Sequence, residues 1–280
     1  MKAACRAACA VVIAAFAYFV SVAWAQSSAT PSSTTISPLV LYDDFNGPRI
    51  DPSKWDDWTQ SAGIREAVRE LSPLYQGQIN NGRLHIFQRA YSWTGNDDGA
   101  SYGWLGLQFT NPSVVETSFT VAVNGATLSE CQSNPSSSSS AWAGFVGRYF
   151  NFAGQQNDSQ DVEAGIALFR ESTDTGTSLR VQAHISSGDG TVNSYQTLGS
   201  VRLGQTAKLR VKWDQPNHQF VFQLNCNPAV SMSYNVSDTF PPVTQIKAFW
   251  VGQGTPNCTT KPPGSAMMDA YFDNVYVNAQ

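Results

Sequence analysis

Ala207-Lys208-Leu209-Arg210-Val211-Lys212-Trp213 alternates apolar and cationic residues, and Asp214-Gln215-Pro216-Asn217 follows with four turn formers. Phe220, Phe222 and Leu224 then resume the alternation. A period of two sends successive side chains to opposite faces of an extended chain. One face is buried and the other wet, as in an antiparallel hairpin lying on a core. The same rule reads outward along the chain. Val115, Thr117, Phe119, Val121 and Val123 alternate with Glu116, Ser118 and Thr120. Further strands are expected over 83–89, 105–109, 142–150, 162–169, 179–185, 246–251 and 270–277, divided by Gly, Pro, Asn and Asp. Only 63–71 carries a helical spacing, with Ile64, Ala67, Val68 and Leu71 on one face and Pro73 behind it. The fold class is all-β, two antiparallel sheets packed as a sandwich.

The first 25 residues read as an export signal. Lys2 and Arg6 form a basic start, Ala10 to Val20 an apolar run too short to span a bilayer, and Ala23-Trp24-Ala25 a cleavage site. Residues 26–38, rich in Ser, Thr and Pro, are expected to be a disordered lead-in, and 39–280 one β domain. The expected location is outside the cytoplasm, secreted or periplasmic. Loss of Lys2 and Arg6 moves the formal charge from −4 to −6. An acidic surface with few clustered cations argues against nucleic acid or anionic membrane as partner. Polarity comes instead from Gly, Ser, Thr, Asn and Gln, which hydrogen-bond neutral hydroxyls.

Cys5 and Cys9 leave with the signal, so Cys131, Cys226 and Cys258 remain. An oxidising compartment allows one disulfide among three pairings. Cys226 with Cys258 is preferred, because both lie in Asn- and Pro-rich turns near the C-terminal strands. No Cys/His spacing suits zinc.

The ends of the 39–280 segment carry further motifs. Asp43-Asp44-Phe45-Asn46-Gly47 opens it, Asn81-Gly82-Arg83-Leu84 leads a strand, and Tyr271-Phe272-Asp273-Asn274-Val275-Tyr276-Val277 closes it. In this order, with Lys212-Trp213 before a hairpin, they resemble the concanavalin A-like lectin/glucanase superfamily. That resemblance implies a jelly-roll sandwich that faces carbohydrate. It also implies a structural Ca²⁺ tying first strands to last, held here by Asp273 with carbonyls near Asp44 and Gly82. Ca²⁺ takes carboxylate and carbonyl oxygens, so the chemistry suits those residues.

The superfamily's glucanases place acids at alternate positions of one strand. Asp161 and Glu163 have that spacing and share a face, but Gly165 and Ala167 occupy the next two positions on it. Retaining hydrolysis needs two carboxyl groups about 5 Å apart, one on each side of the scissile bond. Alginate lyases of similar architecture imply a second set: Arg65 or Arg69, the Gln182-x-His184 strand and Tyr271, for neutralising a uronate and moving its proton. A third constellation is the aromatic loop with Tyr91, Trp93, Asn96, Asp97, Tyr102 and Trp104, where rings for sugar faces sit beside amide and carboxylate groups for hydroxyls. Trp55, Trp58 and Tyr75 are further ring candidates, while Trp213 and Trp250 read as core. The leading expectation is therefore an exported lectin-like glycan binder. A glycan-cleaving enzyme of the same fold comes second, and an exported structural domain third.

Overall fold

The computed structural model describes residues 38–47, 49–62, 78–79, 82–135, 138–154 and 157–278. The export signal, the lead-in, the helical spacing at 63–71, Arg65, Arg69 and Tyr75 lie outside the described residues. In chain order the strands are β1 (Leu39–Asp43), β2 (Trp55–Ala62), β3 (Gln78–Ile79), β4 (Leu84–Tyr91), β5 (Ala100–Phe109), β6 (Glu116–Ser129), β7 (Ser140–Asn151) and β8 (Asp161–Glu171). They continue as β9 (Ser178–Ser187), β10 (Asn193–Arg202), β11 (Thr206–Asp214), β12 (Gln219–Leu224), β13 (Val230–Ser233), β14 (Lys247–Pro256) and β15 (Ser265–Asn278).

Two antiparallel sheets result. One runs β13-β12-β11-β6-β15-β4-β3, with β1 also on β15, and the other runs β10-β9-β8-β7-β14-β5-β2. Each sheet joins a run of consecutive strands, β13-β12-β11 in one and β10-β9-β8-β7 in the other, to strands from distant parts of the chain by long-range pairing. This is a two-sheet antiparallel jelly-roll sandwich. The β11–β12 hairpin pairs Trp213 with Phe220 and Leu209 with Leu224, as the alternation requires.

The core lies where the inward faces meet. Phe119 of β6 and Phe272 of β15 meet Phe145 of β7 and Phe249 of β14, with ring centroids 4.8 Å apart for Phe119–Phe249 and 5.3 Å for Phe249–Phe272. Such tilted ring contacts add to the burial of aromatic area. The opening motif has a structural cause. Asp43 accepts hydrogen bonds from the Phe45 backbone (2.9 Å) and the Trp55 indole (2.7 Å). This holds Phe45 and Trp55, both fully inside, in the same core as Val275 of the closing strand. Trp55 is thus a core residue, not a ring offered to ligand.

The structure corrects the cysteine pairing. Cys131, in the β6–β7 connection, is bonded to Cys258, just past β14, across a sequence separation of 127. Cys226 is exposed in the turn after β12 and takes no part in that bond. The expectation failed because β14 pairs with β7, Gly254 standing opposite Ser140, which brings Cys258 to the connection entering β7, whereas Cys226 follows β12 near the edge of the other sheet. Among the described residues no helix is long and apolar enough to cross a membrane.

Candidate functional site

The outer face of the seven-stranded sheet carries a groove that crosses five of its strands, from β9 to β5. Its two contiguous hollows, of about 350 and 220 Å³, share Trp142, Glu163, Ser186 and Trp250. Tyr102 and Trp104 come from β5, Trp250 from β14, Trp142 from β7, Glu163 from β8, and Gln182, His184 and Ser186 from β9. Tyr195 of β10 closes the far side.

Register explains why so many rings fit on one sheet. Trp250 stands between Gly106 of β5 and Gly144 of β7, while Gly252 stands between Trp104 and Trp142. Each indole therefore lies beside strand positions without side chains. The approach is close at Gly252, where an added Cβ would fall 2.3 Å from the Trp142 ring. Trp142 and Trp250 have ring centroids 5.3 Å apart, and Trp104 and Trp250 6.1 Å, both inclined. Trp142 also stacks with Phe169 of β8 at 6.5 Å. Rings spread over three strands present apolar surface of the kind that covers the C–H face of a sugar ring.

The polar groups stand at one end of this aromatic floor. His184 lies over Gly165, where a Cβ would meet the imidazole at 2.4 Å, and it stacks with Tyr195 at 5.8 Å. Glu163 accepts a hydrogen bond from the Ser186 hydroxyl (3.2 Å), and its carboxylate is 3.9 Å from His184 Nε2. Burial pushes the His184 pKa below the usual histidine value, and the Glu163 charge opposes that push. The Tyr195 phenol is raised by burial and by Glu163. The cations at this face already have partners: Arg148 faces Asp158 and Asp161, and Arg180 faces Glu171 and Asp174.

Asp161 and Glu163 do share the β8 face, but their situations differ. Asp161 accepts from the backbone N–H of Val243 (2.8 Å) and Thr244 (2.9 Å), from the Asn151 amide (3.0 Å) and from Arg148 (3.4 Å). Its side chain is fully buried. It is an anchor for the 241–245 loop, with its oxygens already taken. Glu163 is left as the acid that faces the groove without such commitments.

The lyase set does not assemble. Gln182 and His184 lie on one sheet, whereas Tyr271 lies on the other, stacked on His85 at 4.4 Å beneath Arg83. The aromatic loop divides as well. Tyr102 and Trp104 point into the groove from β5, but Tyr91, Trp93, Asn96 and Asp97 do not line it. Tyr91 ends β4 in the other sheet. The Trp93 carbonyl accepts from Cys258 N (2.7 Å), Asn96 accepts from Asp98 N (3.3 Å), and Asp97 takes the hydroxyl and the N–H of Thr259 (2.6 and 2.7 Å). That loop is latched to the disulfide.

Two groove-facing indoles, Trp142 and Trp250, were not among the expected site residues. From sequence Trp250 reads as core and Trp142 only as the start of a strand. Their signal was present: Trp142-x-Gly144, Trp104-x-Gly106 and Trp250-x-Gly252-x-Gly254 pair a ring with strand glycines of the same parity, opposite to that of the buried Ala141, Ala143, Phe249 and Val251. Trp213 does pack against the core, its indole donating to Tyr234 Oη (2.8 Å).

Of the residues expected to hold Ca²⁺, Asp273 accepts from the backbone N–H and the side-chain amide of Asn274, both at 2.7 Å. Burial raises the Asp273 carboxyl pKa, Asp44 and Asp43 add to the rise, and the Asn274 N–H and the Arg83 charge oppose it. The Asn46 side chain sits against Gly82, whose added Cβ would fall 2.6 Å from Asn46 Oδ1. A carboxylate suits a hard cation by its chemistry, but an ion at Asp273 would compete with the two Asn274 donors.

The strand order and this aromatic face define the class, an all-β jelly roll with a groove across one sheet. No family model matches the chain, and no curated protein matches it. Among solved structures it is similar to a laminarinase from Flavobacterium sp. UMI-01, at 13% identity over 86% of this chain and 100% of that one, with a TM-score of 0.46. It is similar also to SCLam, a non-specific endo-β-1,3(4)-glucanase from family GH16 (11% identity, 88% and 92% covered, TM-score 0.46). A third likeness is to the lectin UEA-II complexed with galactose (12% identity, 84% and 98% covered, TM-score 0.33).

Proposed function

We propose that this chain is an exported, lectin-like protein that binds glycan in the groove across its seven-stranded sheet. The observation that carries this reading is the floor of Trp104, Trp142 and Trp250 set among facing strand glycines. Rings there would stack on sugar faces, while Glu163, Ser186, Gln182 and His184 would meet hydroxyls. Concave, mostly apolar sites with a few placed polar groups are the usual form of a ligand site. Export is supported by the first 25 residues and by the Cys131–Cys258 bond. A structural Ca²⁺ at Asp273, Asp44 and Gly82 belongs to the same reading. Added Ca²⁺ is expected to raise the melting temperature and chelator to lower it, and identical melts would remove the ion from the proposal.

The second reading is glycan cleavage, and Glu163 beside His184 is what favours it. Binding ranks first because Asp161, the other acid of the expected pair, is consumed by the 241–245 loop. A polysaccharide screen reading binding and released reducing ends together separates the two. Retention of an intact polysaccharide, lost in Trp142→Ala, supports binding. Reducing ends that vanish in Glu163→Gln would move the assignment to a hydrolase. A protein that neither retains nor cleaves any polysaccharide would leave the groove without this function.

A further inference from the structure

A second hollow, of about 420 Å³, opens among Trp213 of β11, Tyr149 of β7, Lys247 of β14 and the 238–242 segment. It shares no lining residue with the groove. Rings and prolines dominate its wall: Trp213, Tyr149, Phe240, Pro241 and Pro242. Phe240 is 47% exposed at its edge, so the hollow communicates with solvent.

Lys247 is the unusual member. It has the parity of Phe249 and Val251, both in the core, so it turns inward and is only 5% exposed. Its stem passes over the cross-strand partner Gly147, where an added Cβ would lie 2.4 Å from Lys247 Cδ. The ammonium donates to the carbonyls of Arg148 and Pro112 and stands 4.2 Å from the Tyr149 ring centroid. An ammonium has three donors, and these carbonyls take two.

No carboxylate lies within ion-pair distance of Lys247 among the described residues. The acid in the same wall, Asp238, is turned elsewhere. It accepts from Tyr234 Oη (2.6 Å) and lies 3.1 Å from His218 Nδ1. Burial alone lowers the Lys247 pKa from its ordinary 10.5 to about 7. A buried cation without an acid is costly, and an apolar side chain of similar length would fill the place at less cost.

We infer that this hollow is a second ligand site, for a small aromatic carboxylic acid whose carboxylate meets Lys247 Nζ and whose ring lies among Trp213, Phe240 and the prolines. The site is independent of the groove and of the glycan reading. The carboxylate supplies the missing charge, and the walls supply apolar contact of the kind rings favour.

Titration calorimetry on the whole folded chain, with benzoate and cinnamate against benzamide and cinnamamide, tests this. The acids are expected to bind at least tenfold more tightly than the amides at pH 6. Their affinity should fall between pH 6 and 9, because a carboxylate needs Lys247 charged. Binding at pH 8 should take up as much as one proton, seen as a dependence of the heat on buffer ionisation enthalpy. Tyr149 and Asp238 are the other titratable groups lining the hollow, and Tyr234 and His218 stand behind Asp238. Lys247→Met should abolish both the preference and the proton uptake. Should that variant not fold, Phe240→Ala at the exposed rim should still weaken acid binding several-fold. Equal affinity for acid and amide, absence of proton uptake, or no binding of either would overturn the proposal.

Discussion

The two acids of β8 show how one strand face can give equal residues unequal fates. Asp161 receives two backbone N–H groups, an amide and a guanidinium, whereas Glu163 meets a single serine hydroxyl and looks into the groove. Asp161→Ala leaves those buried donors unpaired, and hydrogen bonds to a charged group count for about 1.5–3 kcal/mol each. The variant should lose at least about 3 kcal/mol in urea unfolding, whereas Glu163→Gln should unfold like the parent. Equal stability in both variants would remove the anchor role. The floor residues act by contact instead. Trp142→Ala should weaken glycan binding by tenfold or more, about 1.4 kcal/mol, at an unchanged melting temperature. Gly252→Val should do the same by a different route, since its side chain would occupy the place of the Trp142 indole. Affinity chromatography on the polysaccharide found by the screen reads both.

At the scale of elements, the disulfide joins the β6–β7 connection to the segment after β14 and collects a third loop around itself. Asp97 holds Thr259, Asn257 donates to the Asp98 carbonyl, and Asn134 Nδ2 donates to the carbonyls of Gly99 and Asn257. The 92–99 loop thus hangs on the Cys131–Cys258 bond, and β5 with Tyr102 and Trp104 starts directly after it. A crosslink closing a loop of more than about 100 residues restricts the unfolded chain by roughly 4–5 kcal/mol in the chain-entropy account. Changing Cys131 and Cys258 together to serine should lower stability by a good part of that amount and increase proteolytic nicking between 92 and 99. Cys226→Ser should do neither. Protection of the loop in the double variant would show that its hydrogen bonds suffice alone.

At the scale of the molecule, two buried bases set the pH response of stability. Lys247 has a folded pKa near 7 against an ordinary 10.5, so between those values the unfolded chain holds the extra proton. Stability from this group therefore rises as pH climbs from about 7 toward 10. Lys247→Met should flatten that slope and raise stability at pH 7, because an uncharged chain replaces a buried ammonium. His184 is likewise held below its usual value by burial. The unfolded chain takes its proton first as pH falls through the ordinary histidine range near 6.5, so the fold loses stability on the acid side. His184→Gln should remove part of that acid loss. Thermal melts of parent and variants from pH 5 to pH 10 measure both slopes, and a slope unchanged by substitution would refute the corresponding assignment.

Alternation made the layers legible from residues alone. It separated Ala207, Leu209 and Val211 from Lys208, Arg210 and Lys212, and it located β4 to β9, β11, β12, β14 and β15 with only their ends in error. It was silent on β10, an edge strand exposed over Asn193–Thr197, because a strand with little to bury has no reason to alternate. The resemblance carried by the two ends of the segment implied that first and last strands lie together, and β1 does pair with β15. Parity tells which way a side chain points, but not which strand stands beside it. That choice is made by pairings between distant segments, through hydrogen bonds and loop crossings that leave no local pattern. Hence only the tertiary structure brought Trp104, Trp142 and Trp250 onto one floor, joined Cys131 to Cys258, sent Tyr271 to the opposite sheet from His184, and closed the 241–245 loop over Asp161.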